Sequence, residues 1–281
     1  MALLEAVGVT VKFGGITAVN DAYLSAEPGT VTGLIGPNGA GKTTLFNVIS
    51  GLQPPTHGRI RFKNRDVTRS SVSHRAKLGM GRTFQRLEAF GSLTVRENVQ
   101  VARDIHAGSG SWFTRRKDRR INELIDLVGL DRYADQRADS VPTGVARLLE
   151  MARALAIEPD LLLLDEPSSG LDEAETESFG TLLTDVARQG CAILMVEHDM
   201  DLVMGVCAEI HVLEFGKVIA TGTPEEIRAN PAVQAAYLGF SDDDAELHVP
   251  DDIAAAATAI VGAPSDGETT MSIPAVDGES S

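Results

Sequence analysis

Eight consecutive residues, Gly36-Pro37-Asn38-Gly39-Ala40-Gly41-Lys42-Thr43, have the spacing of an anion cradle, G-x-x-x-x-G-K-[ST]. The glycines let the backbone curl with its N–H groups turned inward around a negative charge. Lys42 has the reach to meet β- and γ-phosphates, and Thr43 offers a hydroxyl suited to Mg²⁺. Such a loop works only between a strand and a helix N-terminus, whose partial positive charge completes the cradle. Both are legible here. Val31, Leu34 and Ile35 read as a buried strand, and Thr44-Leu45-Phe46-Asn47-Val48-Ile49 as a helix stopped at Gly51 and Pro54-Pro55. Gly36, Pro37, Asn38, Gly39, Ala40, Gly41, Lys42, Thr43 and Thr44 are therefore expected to surround the phosphates of a nucleoside triphosphate.

A second group of residues suits hydrolysis. Leu161-Leu162-Leu163-Leu164 ends in Asp165-Glu166, and four leucines suit a strand buried on both faces of a parallel sheet. Ligands of such sheets bind beyond the carboxyl ends of the strands, where these two carboxylates emerge. One can hold a hydrated Mg²⁺ while the next accepts a proton from the attacking water. An Asp-Glu pair alone is an ordinary polar turn; beside a phosphate loop it reads as chemistry. Cys191-Ala192-Ile193-Leu194-Met195-Val196 forms another buried strand and delivers Glu197-His198-Asp199 to the same edge, within reach of a γ-phosphate.

From about Leu3 to Gly239 the chain resembles the nucleotide-binding subunits of ATP-binding cassette (ABC) transporters, most closely those of branched-chain amino-acid importers. The motifs stand in family order. Lys12-Phe13-Gly14-Gly15 resembles the segment whose aromatic ring stacks on adenine, and Arg82-Thr83-Phe84-Gln85 the loop whose glutamine senses Mg²⁺ and the attacking water. By the same resemblance Asp165 organises Mg²⁺ with Thr43 and Gln85, Glu166 is the catalytic base, and His198 is the switch histidine. Ser169-Gly170-Leu171-Asp172 is similar to the loop that crosses to a partner subunit, bringing Asp172 toward nucleotide. Phe13-Gly14-Gly15, Arg82-Thr83-Phe84-Gln85, His198-Asp199-Met200 and the ending Tyr237-Leu238-Gly239 carry the importer subclass.

One motif departs from the family. Its signature, usually Leu-Ser-Gly-Gly-Gln, falls on Val141-Pro142-Thr143-Gly144-Val145, where only Gly144 is retained. The following helix, Arg147 to Leu155, fits. In the family the signature caps the γ-phosphate held by the opposite subunit, its serine donating a hydrogen bond. Pro142 has neither hydroxyl nor N–H to donate. Losing one such bond costs roughly 1.5–3 kcal/mol, about ten- to a hundredfold in affinity or rate. Thr143 offers a replacement hydroxyl, and the Gly144 N–H and helix dipole remain.

The resemblance implies an α/β fold, a P-loop NTPase ABC-type nucleotide-binding domain with a mixed-sheet core, an antiparallel β subdomain and an α-helical subdomain. Its expected limits are 1–240, with the helical lobe at roughly 86–154. Residues 3–35 alternate apolar and polar (Leu3, Glu5, Val7, Val9, Val11, Phe13), as antiparallel strands with one covered face do. Thr223-Pro224-Glu225-Glu226 has the cap, N1 proline and N3 glutamate of a helix start. Trp112-Phe113-Thr114-Arg115-Arg116-Lys117-Asp118-Arg119-Arg120 clusters five basic residues, a pattern that suits nucleic acid, anionic lipid or a solvated helix face; the acidity of the chain argues against nucleic acid and a solvated face is favoured. No internal repeat is evident.

At 281 residues the chain can bury one sizeable core with a smaller lobe. Cys191 and Cys207 lack metal-like spacing and suggest apolar fillers in a reducing compartment. No apolar run approaches the ~20 residues of a membrane span, and Met1-Ala2-Leu3-Leu4-Glu5 is not expected to be a signal peptide. Of the 40 acidic residues ten follow Phe240, where there is no Lys or Arg; the rest of the chain sets 30 acids against 25 basic residues, a net of −5 out of −15. Residues 241–281 are expected to be an acidic disordered tail.

The function implied is an ATPase with ATP and Mg²⁺ as cofactors, peripheral on the cytoplasmic, inner face of the cell membrane. It would power import of branched-chain or other amino acids through separate permease subunits fed by an extracytoplasmic solute-binding protein. The working unit is expected to be a dimer with a second ABC ATPase subunit, a heterodimer rather than a homodimer. A soluble non-transport ABC ATPase and an ATP-binding regulatory protein are the alternatives. A single cassette without a long coiled-coil insertion argues against the first, and the complete carboxylate and histidine set against the second.

Overall fold

The computed structural model describes residues 2–83, 89–107 and 115–238. Two antiparallel strands, β1 (Leu4–Phe13) and β2 (Ile16–Ala26), begin it, joined through Gly14-Gly15. β3 (Val31–Ile35) then runs into the phosphate loop and helix α1 (Lys42–Ser50). β4 (His57–Phe62) and β5 (Arg65–Asp66) return beside β1, giving a four-stranded antiparallel sheet in the order β2-β1-β4-β5.

The alternation expected along β1 is interrupted. Leu4 and Ala6 are buried, Val7 is exposed, and Val9 and Val11 are buried again. The ladder shifts register between Ala6 and Val9, with Gly8 at φ 60°. A bulge adds one residue to a strand and so reverses which side chains face the core. Val7, expected in one apolar row with Val9 and Val11, consequently meets solvent; Phe13, in that row but last in the strand, is exposed at the hairpin end.

After α2 (Val72–Lys77) and β6 (Met80–Arg82) come three helices, α3 (Val95–Ala107), α4 (Arg115–Leu127) and α5 (Thr143–Leu155). The chain then alternates: β7 (Leu161–Asp165), α6 (Glu173–Arg188), β8 (Ala192–Val196), α7 (Met200–Val206), β9 (Glu209–Glu214). β10 (Lys217–Gly222), α8 (Pro224–Arg228) and α9 (Pro231–Leu238) follow. The second sheet has the order β10-β9-β3-β8-β7-β6, parallel throughout except for the antiparallel β9–β10 pair.

Every leucine of the Leu161–Leu164 run is buried, and successive ones serve different cores. Leu162 and Leu164, with Ile193 and Met195, pack toward Val99, Leu149 and Phe179 of the helices. Leu161 and Leu163, with Ala192 and Leu194, pack toward Leu45, Phe46 and Ile49 of α1 and the inner face of the antiparallel sheet. The period of two that points side chains to opposite faces thus sandwiches α1 between two sheets. Truncating any of these leucines to alanine should cost about 2–5 kcal/mol.

Local signals in the sequence also form as expected. Gly51, at φ 86°, ends α1 and donates to the Asn47 and Val48 carbonyls. The buried Arg75 guanidinium donates to Val48 and Ile49 at the same helix end, and burial pulls its pKa down to about 10. Thr223 and Glu226 form a reciprocal capping box. On α4, Arg119 pairs with Glu123 at 3.0 Å and Arg120 with Glu158 at 3.5 Å, while the side chains of Arg115, Arg116 and Lys117 lie outside the described residues. Cys191 and Cys207 are free thiols whose pKa values burial pushes up to about 12. Among the described residues no helix is long and apolar enough to cross a membrane. Phe84, Gln85, Trp112, Phe113 and the acidic tail lie outside the described residues.

Candidate nucleotide site at the sheet edge

Strand register brings the three sequence motifs together. Leu34 of β3 stands opposite Val196 of β8, and Val196 opposite Asp165 of β7. Within two residues of that row the strands give way to Gly36, to Glu166 and to Glu197-His198. The phosphate loop, the carboxylate pair and the histidine therefore share one edge. β6 adds Arg82, level with Leu163, to the same edge.

The loop is clamped from outside. Ile35 pairs with Val212 of β9, and a Cβ on Gly36 (φ 146°) would drive into the Leu213 carbonyl. Gly41 (φ 104°) is pressed against the Ala18 carbonyl in the same way. Gly216 donates to Ala40 at 2.8 Å and accepts from Asn20 at 2.7 Å, tying the β9–β10 hairpin and β2 to the loop. Lys42 Nζ donates to the Gly36 and Pro37 carbonyls at 2.5 and 3.0 Å, which holds the ammonium over the loop. Burial lowers the Lys42 pKa, and the nearby Glu166 charge opposes that shift. Thr43 lies exposed on the first turn of α1, with Thr44 half-buried beside it. Phe13, at the tip of the β1–β2 hairpin, is 52 % exposed, an aromatic face free to stack on a base.

Asp165 is 4 % exposed at the end of β7, where burial raises its pKa against the pull of Arg82. Arg82 Nη2 lies 3.3 Å from Asp165 Oδ2. The same guanidinium donates to Asn47 Oδ1 at 3.1 Å and Ser50 Oγ at 2.5 Å, and stacks 4.9 Å over the Phe46 ring. It thus fastens α1 to the carboxylate edge. Glu166 sits at φ 48°, a left-handed conformation that costs about 1–3 kcal/mol in a non-glycine residue and persists where the surroundings impose it. Its N–H donates to the Val196 carbonyl at 2.9 Å. Thr43 and Asp165 supply few, hard oxygen donors, and such sites suit Mg²⁺, which takes its other ligands from phosphates and water.

The segment after Glu166 links this edge to the altered signature. Ser168 N–H donates to Glu197 Oε1 at 2.8 Å. Arg147, on α5, donates from Nε to the Ser169 carbonyl at 3.2 Å and pairs with Glu150 at 3.5 Å. A Cβ on Gly170 would lie 3.4 Å from Thr143 Cγ2, and one on Gly144 would lie 2.7 Å from Glu175 Oε1. Thr143 therefore leans on its own chain's crossing loop, and Gly144 on the first turn of α6. Pro142 is the N-cap of α5 with no side-chain cap bond, while Thr143 is exposed. The Asp172 carboxylate caps α6 by accepting from Glu175 N–H at 2.8 Å, and Glu175 returns a bond from the Asp172 N–H at 3.0 Å. His198 is exposed at the same edge.

Arg82, Arg147 and Glu197 take part in this arrangement, yet sequence reasoning assigned none of them a role. Arg82 and Glu197 flank recognised motifs and were visible only as neighbours of Gln85 and His198. Arg147 gave no signal beyond its place on a helix.

Comparison with known proteins agrees with this geometry. The sequence pattern of the ABC transporter family matches residues 19–169, and that of the branched-chain amino acid ATP-binding cassette transporter family matches residues 217–239. The chain is 38 % identical over 249 residues to the high-affinity branched-chain amino acid transport ATP-binding protein LivG of Salmonella typhimurium, covering 84 % of this chain and 98 % of that protein. It is 39 % identical, with the same coverage, to the high-affinity branched-chain amino acid transport ATP-binding protein BraF of Pseudomonas aeruginosa. Among solved structures, the ADP conformation of an ATP-binding cassette of an ABC transporter superposes with a TM-score of 0.77 at 26 % identity, covering 85 % of this chain and 99 % of that one.

Proposed function

The chain belongs to the ABC transporter ATP-binding family, and from that premise we propose that it hydrolyses ATP at this sheet edge to drive amino-acid uptake through separate membrane permeases. The observation that carries the proposal is the common row of Leu34, Val196 and Asp165, which sets the phosphate loop, Glu166 and Glu197-His198 at one sheet edge. The loop from Gly36 to Thr44 cradles the phosphates, and Phe13 stacks on adenine. Glu166 takes the proton of the attacking water, its strained backbone holding the carboxylate in place. His198 contacts the γ-phosphate. Mg²⁺, held by Thr43, Asp165 and Gln85, would neutralise charge on the β- and γ-phosphates when bound. Arg82 restrains the Asp165 carboxylate that would serve as its ligand.

A second ATPase subunit completes each site, its signature facing this chain's Lys42 while Thr143 and Gly144 face the partner's nucleotide. The altered signature favours a heterodimer, with a site of ordinary make-up paired to an unusual one. Residues 241–281 then form an appendage to a domain spanning 1–240. The names of the relatives point to branched-chain amino acids as the solute, delivered by an extracytoplasmic binding protein, with this subunit on the inner face of the membrane. Co-purification with permease subunits, followed by uptake of labelled leucine into ATP-loaded vesicles, tests the proposal. Uptake should vanish with Glu166→Gln; a chain that purifies without membrane partners would contradict the transport reading.

A further inference from the structure

Glu197 stands at this edge without a part in the hydrolysis just described, and its side chain is 0 % exposed. Taking a carboxylate out of water is costly unless hydrogen bonds replace the solvent. Here N–H groups from two segments do so. Oε1 accepts from Ser168 N–H at 2.8 Å, and Oε2 from His198 N–H at 3.0 Å. Burial pushes the Glu197 carboxyl up, and the Ser168 and His198 donors pull it back. The His198 ring also turns toward it, with Nδ1 3.7 Å from Oε2.

Ser168 lies two residues beyond Glu166. The turn between them is held at both ends by the tip of β8: Glu166 N–H by the Val196 carbonyl, and Ser168 N–H by Glu197. The next residue, Ser169, is held by Arg147 of the signature helix. We propose that Glu197 is a positioning residue whose carboxylate fastens the turn after Glu166 to the segment carrying His198. Base and histidine then keep one spacing and shift together when the crossing loop or the signature helix moves. The proposal rests on the hydrolysis reading above.

Two substitutions separate this role from simple packing. Glu197→Gln is isosteric but offers one acceptor where two N–H groups need one each. Glu197→Asp keeps the charge but falls one methylene short of bridging both. In the full chain co-purified with its partner subunits, each should lower kcat roughly ten- to a hundredfold, as small misplacements of catalytic groups do. Affinity for ATP should stay within about threefold, because the placement of Glu166 and His198 for the chemical step is what is disturbed, not the phosphate loop that binds ATP. Glu197→Gln leaves one buried N–H without an acceptor and should melt a few degrees lower, so kcat is compared well below that melting point.

A folded Glu197→Gln variant with undiminished kcat overturns the proposal, as does a loss of kcat matched by an equal loss of ATP affinity. If neither variant folds, Ser168→Ala keeps the backbone N–H but removes the serine hydroxyl that also bonds the Glu197 carboxylate: a several-fold lower kcat at unchanged ATP affinity supports the role, and unchanged kcat overturns it. Glu166→Gln, run alongside, tells the two failures apart. If it still releases phosphate, the hydrolysis reading falls and the role of Glu197 with it. If it is inactive while Glu197→Gln is not, the positioning role alone falls.

Discussion

Replacing the glycines of the phosphate loop one at a time with alanine should have sharply unequal effects. Gly36, Gly39 and Gly41 all have positive φ, so each alanine must enter a conformation that costs about 1–2 kcal/mol. At Gly41 the new Cβ also meets the Ala18 carbonyl, which belongs to backbone and cannot swing aside. Overpacking of this kind adds about 1–3 kcal/mol, bringing Gly41→Ala to about 2–5 kcal/mol. At Gly39 nothing lies within 4 Å of the added carbon. There the conformational cost is partly offset by about 0.4–1 kcal/mol from a less flexible unfolded chain, leaving about 0–1.6 kcal/mol. With about 2–4 °C per kcal/mol for a domain of this size, Gly41→Ala should lower Tm by roughly 4–20 °C and Gly39→Ala by no more than about 6 °C. Thermal unfolding of the two purified variants is the assay. Equal losses would refute the claim that backbone contact, not loop flexibility, demands the two glycines of the G-x-x-x-x-G pattern.

The N-cap of α5 gives a second test. Pro142 makes no side-chain cap bond, so Pro142→Ser should be more stable than Pro142→Ala by about 1 kcal/mol, read as Tm; identical melting would show that the serine does not cap. In turnover, Pro142→Ser should speed the partner-facing site if the missing hydroxyl limits it, measured by single-turnover phosphate release, and no change would mean that Thr143 already serves. The two thiols, with pKa values near 12, should resist alkylation at pH 8 in the folded chain and react fully in urea; rapid labelling of native protein would contradict the burial that raises them.

Much of the site was legible because its parts are local. The loop from Gly36 to Thr43, the helix stop at Gly51, the leucine strand and the capping box at Thr223 each follow from neighbours within a few residues. Their meeting at one edge also followed, since buried parallel strands end together. What escaped depends on contacts between distant segments. The bulge at Gly8 is decided by pairing with β2, and it reverses the β1 pattern that simple alternation implies. Arg82 reaches Asn47 and Asp165, 35 and 83 residues away, and Arg147 reaches Ser169 across the lobe. Asp172, read by resemblance as a residue approaching nucleotide, spends its carboxylate on capping α6, a local use that the Asp172–Glu175 spacing already contained.

The central claim is that this edge cleaves ATP with Glu166 as base. Phosphate release and ATP affinity measured together on Glu166→Gln, with Lys42→Ala beside it, test that claim most directly. Glu166→Gln should bind ATP as the native chain does and lose roughly 10²–10⁴-fold in turnover, whereas Lys42→Ala should lose binding itself. Turnover undiminished in Glu166→Gln would contradict the account.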